Sequence, residues 1–189
     1  MYSFYRKGRV HNSLRYPGRD YSRPGKYFVT ICTADRIEWL GEITNSKMQL
    51  SDIGSIASKF WYDIPQHFPY ITLDEFVIMP DHIHGIIIIG RASLNPVVGS
   101  LHATNLRSND DAPIKNKTMA SLSPKPGSLS VVIRSYKSAV TKNARLINNG
   151  FSWQSRFYDT IICTKGQLSR IRKYIINNPG NWRKNRNGL

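Results

Sequence analysis

Hydrophobic and polar positions alternate, lapse and resume along the chain in blocks that each predict one element. Residues 27–33 (YFVTICT) alternate and are rich in β-branched and aromatic side chains, which predicts a strand. Residues 39–43 predict a short partner strand after a polar connection. At Ser51 the period changes. Its hydroxyl can cap a helix and Asp52 suits the positive end, while Ile53, Ile56, Ala57, Phe60, Trp61 and Ile64 share one helical face, with Pro65 near the end. Residues 71–79 and 82–89 predict two strands, parted by Pro80 and Asp81 and therefore adjacent in the sheet. From 90 to 127 no apolar period survives, and the Ser, Asn, Pro and Lys content predicts a long loop or flexible insertion. Leu129, Val132, Ile133, Tyr136 and Val140 then restore a helical stripe with a basic outer surface. Residues 151–163 have β-rich ends around a polar middle and predict another strand. A last helix spans 167–178 and stops at Pro179, because a residue before proline disfavours helical geometry.

That order contains β-α-β-β-α-β. The expected fold is α+β, a ferredoxin-like antiparallel sheet with helices on one face and an added C-terminal helix. The expected organisation is a basic extended arm at 1–26, one domain at 27–182 carrying the 90–127 insertion, and a basic tail at 183–189.

Charge changes this picture more than composition does. The 189 residues hold 27 Lys and Arg against 12 Asp and Glu, a formal charge of +15. Residues 1–111 carry 12 basic and 11 acidic side chains, whereas 112–189 carry 15 basic ones and a single acid, Asp159. A field of one sign over the last two-fifths of a chain attracts polyanions, nucleic acid above all. The apolar run 86–89, which no other exceeds, is far too short to cross a bilayer, and no apolar stretch follows the basic start as a secretory signal would require. Cys32 and Cys163 have no metal spacing and cannot make a disulfide framework, so a reducing cytoplasm is the expected compartment.

Candidate chemistry starts at His82 and His84. Side chains two apart on a strand share a face, and two neutral imidazoles make half of a divalent-metal site, although such a pair also arises by chance. Arg170, Tyr174 and Asn178 fall in one line on the last helix, with Arg172 and Lys173 beside them. A tyrosine among cations suits a phosphodiester, and an amide oxygen is an acceptable hard ligand; a core tyrosine and a capping asparagine explain the same residues. Arg134, Lys137, Lys142, Arg145 and Arg156 are candidate phosphate contacts, or simply solvated charge. Asp81 is placed to orient one imidazole or to shape the turn after Pro80. Tyr158 is the rival nucleophile, read as strand-edge packing or DNA contact, and His67 as a boundary residue; His11 and His102 have no partner in the pattern. Trp153, Phe157 and Tyr2, Tyr5, Tyr16 and Tyr21 of the arm are able to stack on unpaired bases.

Four motifs in this order, YFVTICT (27–33), MPDHIHG (79–85), WQSRFYD (153–159) and YIINNP (174–179), resemble the HUH single-strand transposases, most closely the REP-associated tyrosine transposases of bacteria. The resemblance covers about residues 12–182 without the insertion. It implies that His82 and His84 are the histidine pair of a metal site completed by Asn178, where some relatives have glutamine, and that Tyr174 is the nucleophile. It further implies Mg²⁺ or Mn²⁺ as cofactor, single-stranded hairpin DNA as substrate, a 5′-phosphotyrosine intermediate and a nucleoid-associated cytoplasmic protein. A homodimer is implied by the insertion-sequence branch and a monomer by the REP-associated branch. A domesticated nuclease that nicks chromosomal palindromes, and a non-catalytic nucleic-acid-binding protein, are the alternatives.

Overall fold

The computed structural model describes residues 23–90 and 127–186, with side chains as far as Trp182. Most of the expected arm and insertion, and the last three residues, lie outside them, with Tyr2, Tyr5, Tyr16, Tyr21, His11 and His102. Strand β1 (Gly25–Cys32) leads through one 3-10 turn (Ala34–Arg36) to a hairpin of β2 (Gly41–Thr44) and β3 (Lys47–Leu50). Helix α1 (Asp52–Tyr62) begins where expected: Ser51 Oγ accepts the Gly54 N–H at 3.0 Å, satisfying one of the free donors of the first turn. A one-turn helix α2 (Ile64–His67) has Pro65 in its first turn, where a missing N–H costs nothing, and exposed His67 at its end. Strands β4 (Ile71–Met79) and β5 (His82–Ile89) follow, then α3 (Leu129–Ile147), β6 (Tyr158–Ile162) and α4 (Lys165–Arg186).

The fold is α+β. Its four-stranded antiparallel sheet has the order β4-β5-β1-β6, with Cys32 opposite His82, Thr30 opposite His84 and Tyr158 opposite Thr30. One face carries Tyr27, Val29 and Ile31 of β1 with Ile83, Ile87 and Ile89 of β5, packed with α1 and α3 into the larger core. Trp61 is its centre, stacked on Phe76 at 5.5 Å and edge-on to Tyr136 at 5.4 Å. Tyr136 Oη donates to the Ala57 carbonyl at 2.9 Å, joining the two helices. Gly85 lies under Trp61, and a Cβ there would run into the indole, so the residue after the histidines must be glycine for the ring to press on β5. The other face of the sheet packs Phe28, Ile86 and Ile162 against Leu168, Ile171 and Ile175 of α4.

Four expectations need correction. The strand expected at 39–43 pairs with β3 in a separate two-stranded sheet and not with β1. Of 151–163 only 158–162 form a strand, the polar middle breaking the pairing after an isolated bridge at Trp153. The second hairpin strand, β3, was not anticipated; its turn places Asn45 and Ser46 at φ 51° and 62° without any glycine. Helix α4 does not stop at Pro179 but runs on to Arg186, taking in the first residues of the expected tail. Proline removes one backbone hydrogen bond there, and packing on both sides holds the helix: Asn178 is buried and Trp182 lies against His82. Among the described residues no helix is long and apolar enough to cross a membrane.

Candidate active site

Two adjacent strands and one helix build the site. Because β5 alternates, Ile83 enters the large core while His82 and His84 emerge on the α4 face, 7% and 5% exposed. The β4–β5 turn is held from outside, since Thr33 N donates to the Asp81 carbonyl at 2.9 Å and Leu40 N to that of Pro80 at 3.0 Å. Asp81 is thereby fixed, and its Oδ1 lies 2.5 Å from His82 Nδ1, with Arg36 3.5 Å from its other oxygen. The carboxylate accepts the hydrogen bond of an Nδ1–H and so turns His82 Nε2 to the other side of the ring. On the neighbouring strand Thr30 Oγ1 lies 2.8 Å from His84 Nδ1. Burial, then His82, then Arg36 push the His84 pKa well below its ordinary value, so this imidazole stays neutral.

With each Nδ1 turned to its own partner, the two Nε2 atoms face one another 3.0 Å apart. Helix α4 brings Tyr174 over them, its Oη 3.2 Å from His84 Nε2 and its ring 5.2 Å from the imidazole. Two turns further on, Trp182 lies 5.9 Å from the His82 ring. Asn178 falls midway between Tyr174 and Trp182 on that helical line, 2% exposed, and its Nδ2 has no hydrogen-bond partner.

These donors fit the metal that the sequence resemblance implies. Two ligands each about 2.1 Å from one ion at a right angle stand about 3.0 Å apart, the separation of the two Nε2 atoms. Two imidazoles and the oxygen of a buried amide on the helix above them are the kind of donor set that suits a borderline or hard divalent cation. Among the described residues no cluster of three or more His, Cys, Asp or Glu side chains exists to hold one. The amide, solvent and a phosphate oxygen would have to complete the coordination.

The expected basic contacts separate into groups. Arg134 and Lys142 are exposed on α3, as are Arg170 and Lys173 on α4 and Arg156 before β6. Lys137 and Arg145 bind backbone: Lys137 Nζ donates to the Gln154 carbonyl at 2.5 Å, and Arg145 Nε to that of Phe151 at 3.1 Å. Arg172 forms a two-pronged pair with Asp74, 2.8 and 2.7 Å, which ties α4 to the irregular register of β4. Tyr158 is on the same sheet face as the histidines, two strands from His84, whereas Tyr174 touches it. Thr30, Arg36 and Trp182 escaped the sequence reading. A lone threonine inside an apolar strand was a usable signal for the first; ending the helix at Pro179 concealed the last.

No protein-family model matches the chain. It is 35% identical over 189 residues, 96% of each chain, to an uncharacterized protein of Haemophilus influenzae. Its fold is similar to that of a REP-associated tyrosine transposase whose structure was solved bound to a REP hairpin, with a TM-score of 0.53 and 19% identity over 86% of this chain and 71% of that one.

Proposed function

The chain belongs to the family of the Haemophilus influenzae protein, and from its transposase fold and the site on its sheet we propose that it is a metal-dependent, single-stranded DNA endonuclease and strand transferase of the REP-associated tyrosine type. The observation that carries this reading is the meeting of Tyr174 Oη with His84 Nε2 at 3.2 Å, beside a second imidazole nitrogen. We read the strand order β4-β5-β1-β6, with α1 and α3 on one face, as the ferredoxin-like arrangement. The solved relative's REP hairpin supports hairpin-forming DNA as the substrate class.

His82, His84 and Asn178 would hold a divalent ion, Mg²⁺ or Mn²⁺, which when bound supplies Lewis-acid polarisation of the scissile phosphate. The rest is done by side chains of this chain. Asp81 and Thr30 hold the two Nδ1 atoms and so keep both Nε2 atoms turned toward the reacting phosphate. Packing of Ile171 and Ile175 on the sheet fixes the height of α4 and so the position of the phenol. Tyr174 Oη attacks phosphorus, the P–O3′ bond breaks, and the departing 3′ oxygen takes up a proton in place of the one the phenol loses. The products are a 5′-phosphotyrosine and a free 3′-hydroxyl, and attack of such a hydroxyl on the link reverses the step or joins a new strand.

The test is covalent capture. Incubated with single-stranded hairpin DNA and Mn²⁺, the protein should give an adduct stable to denaturation, and Tyr174→Phe should give none. An adduct that persists in Tyr174→Phe removes the assignment.

A further inference from the structure

On the face of the molecule opposite the histidines, an open groove of about 500 Å³ runs between α3 and the segment ahead of β6. Lys137, Thr141, Lys142 and Arg145 form one wall, and Trp153 and Gln154 form part of the other. Among the described residues no acidic side chain lines it.

The sheet connects this groove to the site. Residues 152–154 continue the pairing along β1: Ala34 N donates to the Ser152 carbonyl at 3.0 Å, Thr33 bridges Trp153, and Gln154 N donates to the Cys32 carbonyl at 2.9 Å. Cys32 is in turn opposite His82. Gln154, Cys32 and His82 therefore stand in one row across three adjacent strands, and two inter-strand steps span about 10 Å. Between this pairing and that of Thr30 with Tyr158 the register slips, so the chain bulges outward at residues 155–157. Lys137 gathers the bulge, donating to the carbonyls of Gln154 and Arg156 at 2.5 and 3.5 Å. The sheet edge level with the histidines is thus a rounded, cation-backed shoulder with Arg156 exposed on it.

We propose that this groove holds the phosphodiester backbone of the strand cut at Tyr174, which passes over the Gln154–Arg156 shoulder from one face of the sheet to the other. The inference rests on the proposed function for the strand's identity and names where its flank lies. The Lys142 ammonium meets the phosphates, with the charge of Lys137 and Arg145, both held on backbone carbonyls, behind it, while Gln154 and Thr141 line the path. A strand of a few nucleotides covers the distance round the edge, within the ~4–16 nucleotides that one small single-strand-binding domain engages.

The test compares two charge reversals on one helix of the full-length protein. Lys142 lines the groove and Arg134 does not, and both are exposed. With a mixed-sequence single strand of about 30 nucleotides, long enough to span such a footprint, Lys142→Glu should weaken binding about tenfold more than Arg134→Glu and lower the slope of log affinity against log salt by about one. Equal losses from the two variants would mean a diffuse field and overturn the groove. Independently, a photoreactive nucleotide placed several positions from the cleaved phosphate in the Tyr174 adduct should crosslink to the α3 or 152–156 peptide, and crosslinks confined to α4 would overturn the path. Failure of Tyr174 to form any adduct would sink the proposed function, while the binding comparison would still decide the groove.

Discussion

The two faces of the central sheet are made by the same strands and do opposite work. Toward α1 and α3, β1 and β5 present Tyr27, Val29, Ile31, Ile83, Ile87 and Ile89, all buried and all apolar apart from one phenol. Toward α4 the intervening positions present Phe28 and Ile86 at one end and Thr30, His82 and His84 at the other. A period of two allows one strand to serve a core and the proposed reaction site together, and a slip of one residue would exchange them. The difference teaches that stability and chemistry are separable here by parity of position, although the residues involved are covalent neighbours.

Trp61→Ala should break the comparison hardest from the structural side. Deleting the fully buried indole removes its contacts with Phe76 and Tyr136 and should cost about 3–5 kcal/mol in a denaturant titration. Thr30→Val tests the opposite face with a substitution that strand geometry tolerates. It strips His84 Nδ1 of its partner and should lower metal affinity and adduct formation about 10–100-fold. Equal losses of stability and activity in that variant would show that the faces are not separable. Ser51→Ala, on the structural side, should cost only about 1 kcal/mol by removing the α1 cap, with adduct formation per folded molecule unchanged.

The smallest effect expected is at the tie between α4 and β4. The Arg172 hydrogen bonds hold the Asp74 carboxyl below its ordinary pKa, opposed by partial burial. A depressed carboxylate contributes stability that is complete above its unfolded pKa, near 3.9, and is lost as pH falls through the folded value. Asp74→Asn should therefore be slightly less stable than the parent at neutral pH and indistinguishable from it in strong acid. A difference that grows on acidification would reverse the sign and refute the pairing.

How far the sequence could be read follows from the range of the forces involved. Strands β4 and β5 and the Ser51 cap appear where alternation and capping chemistry put them, because each depends on residues a few positions apart. The β2–β3 turn was illegible since Asn45 and Ser46 adopt positive φ without the glycine that normally announces it. Pro179 misled because a local preference against helix was outweighed by the burial of Asn178 and the contact of Trp182 with His82, neither of which is local. Arg172 looked like a phosphate contact from its helix alone; its partner Asp74 is 98 positions away.

By itself, the sequence determined the residue types that carry chemistry, the strand that presents His82 and His84 on one side, and the concentration of positive charge after residue 111. Only the tertiary structure decided that Tyr174, rather than Tyr158, meets the imidazoles, that Thr30 and Asp81 orient them, and that the basic groove lies on the far face. Side-chain period is a property of neighbouring residues, whereas the meeting of a helix with a strand 90 positions earlier in the chain depends on how two cores pack against one sheet.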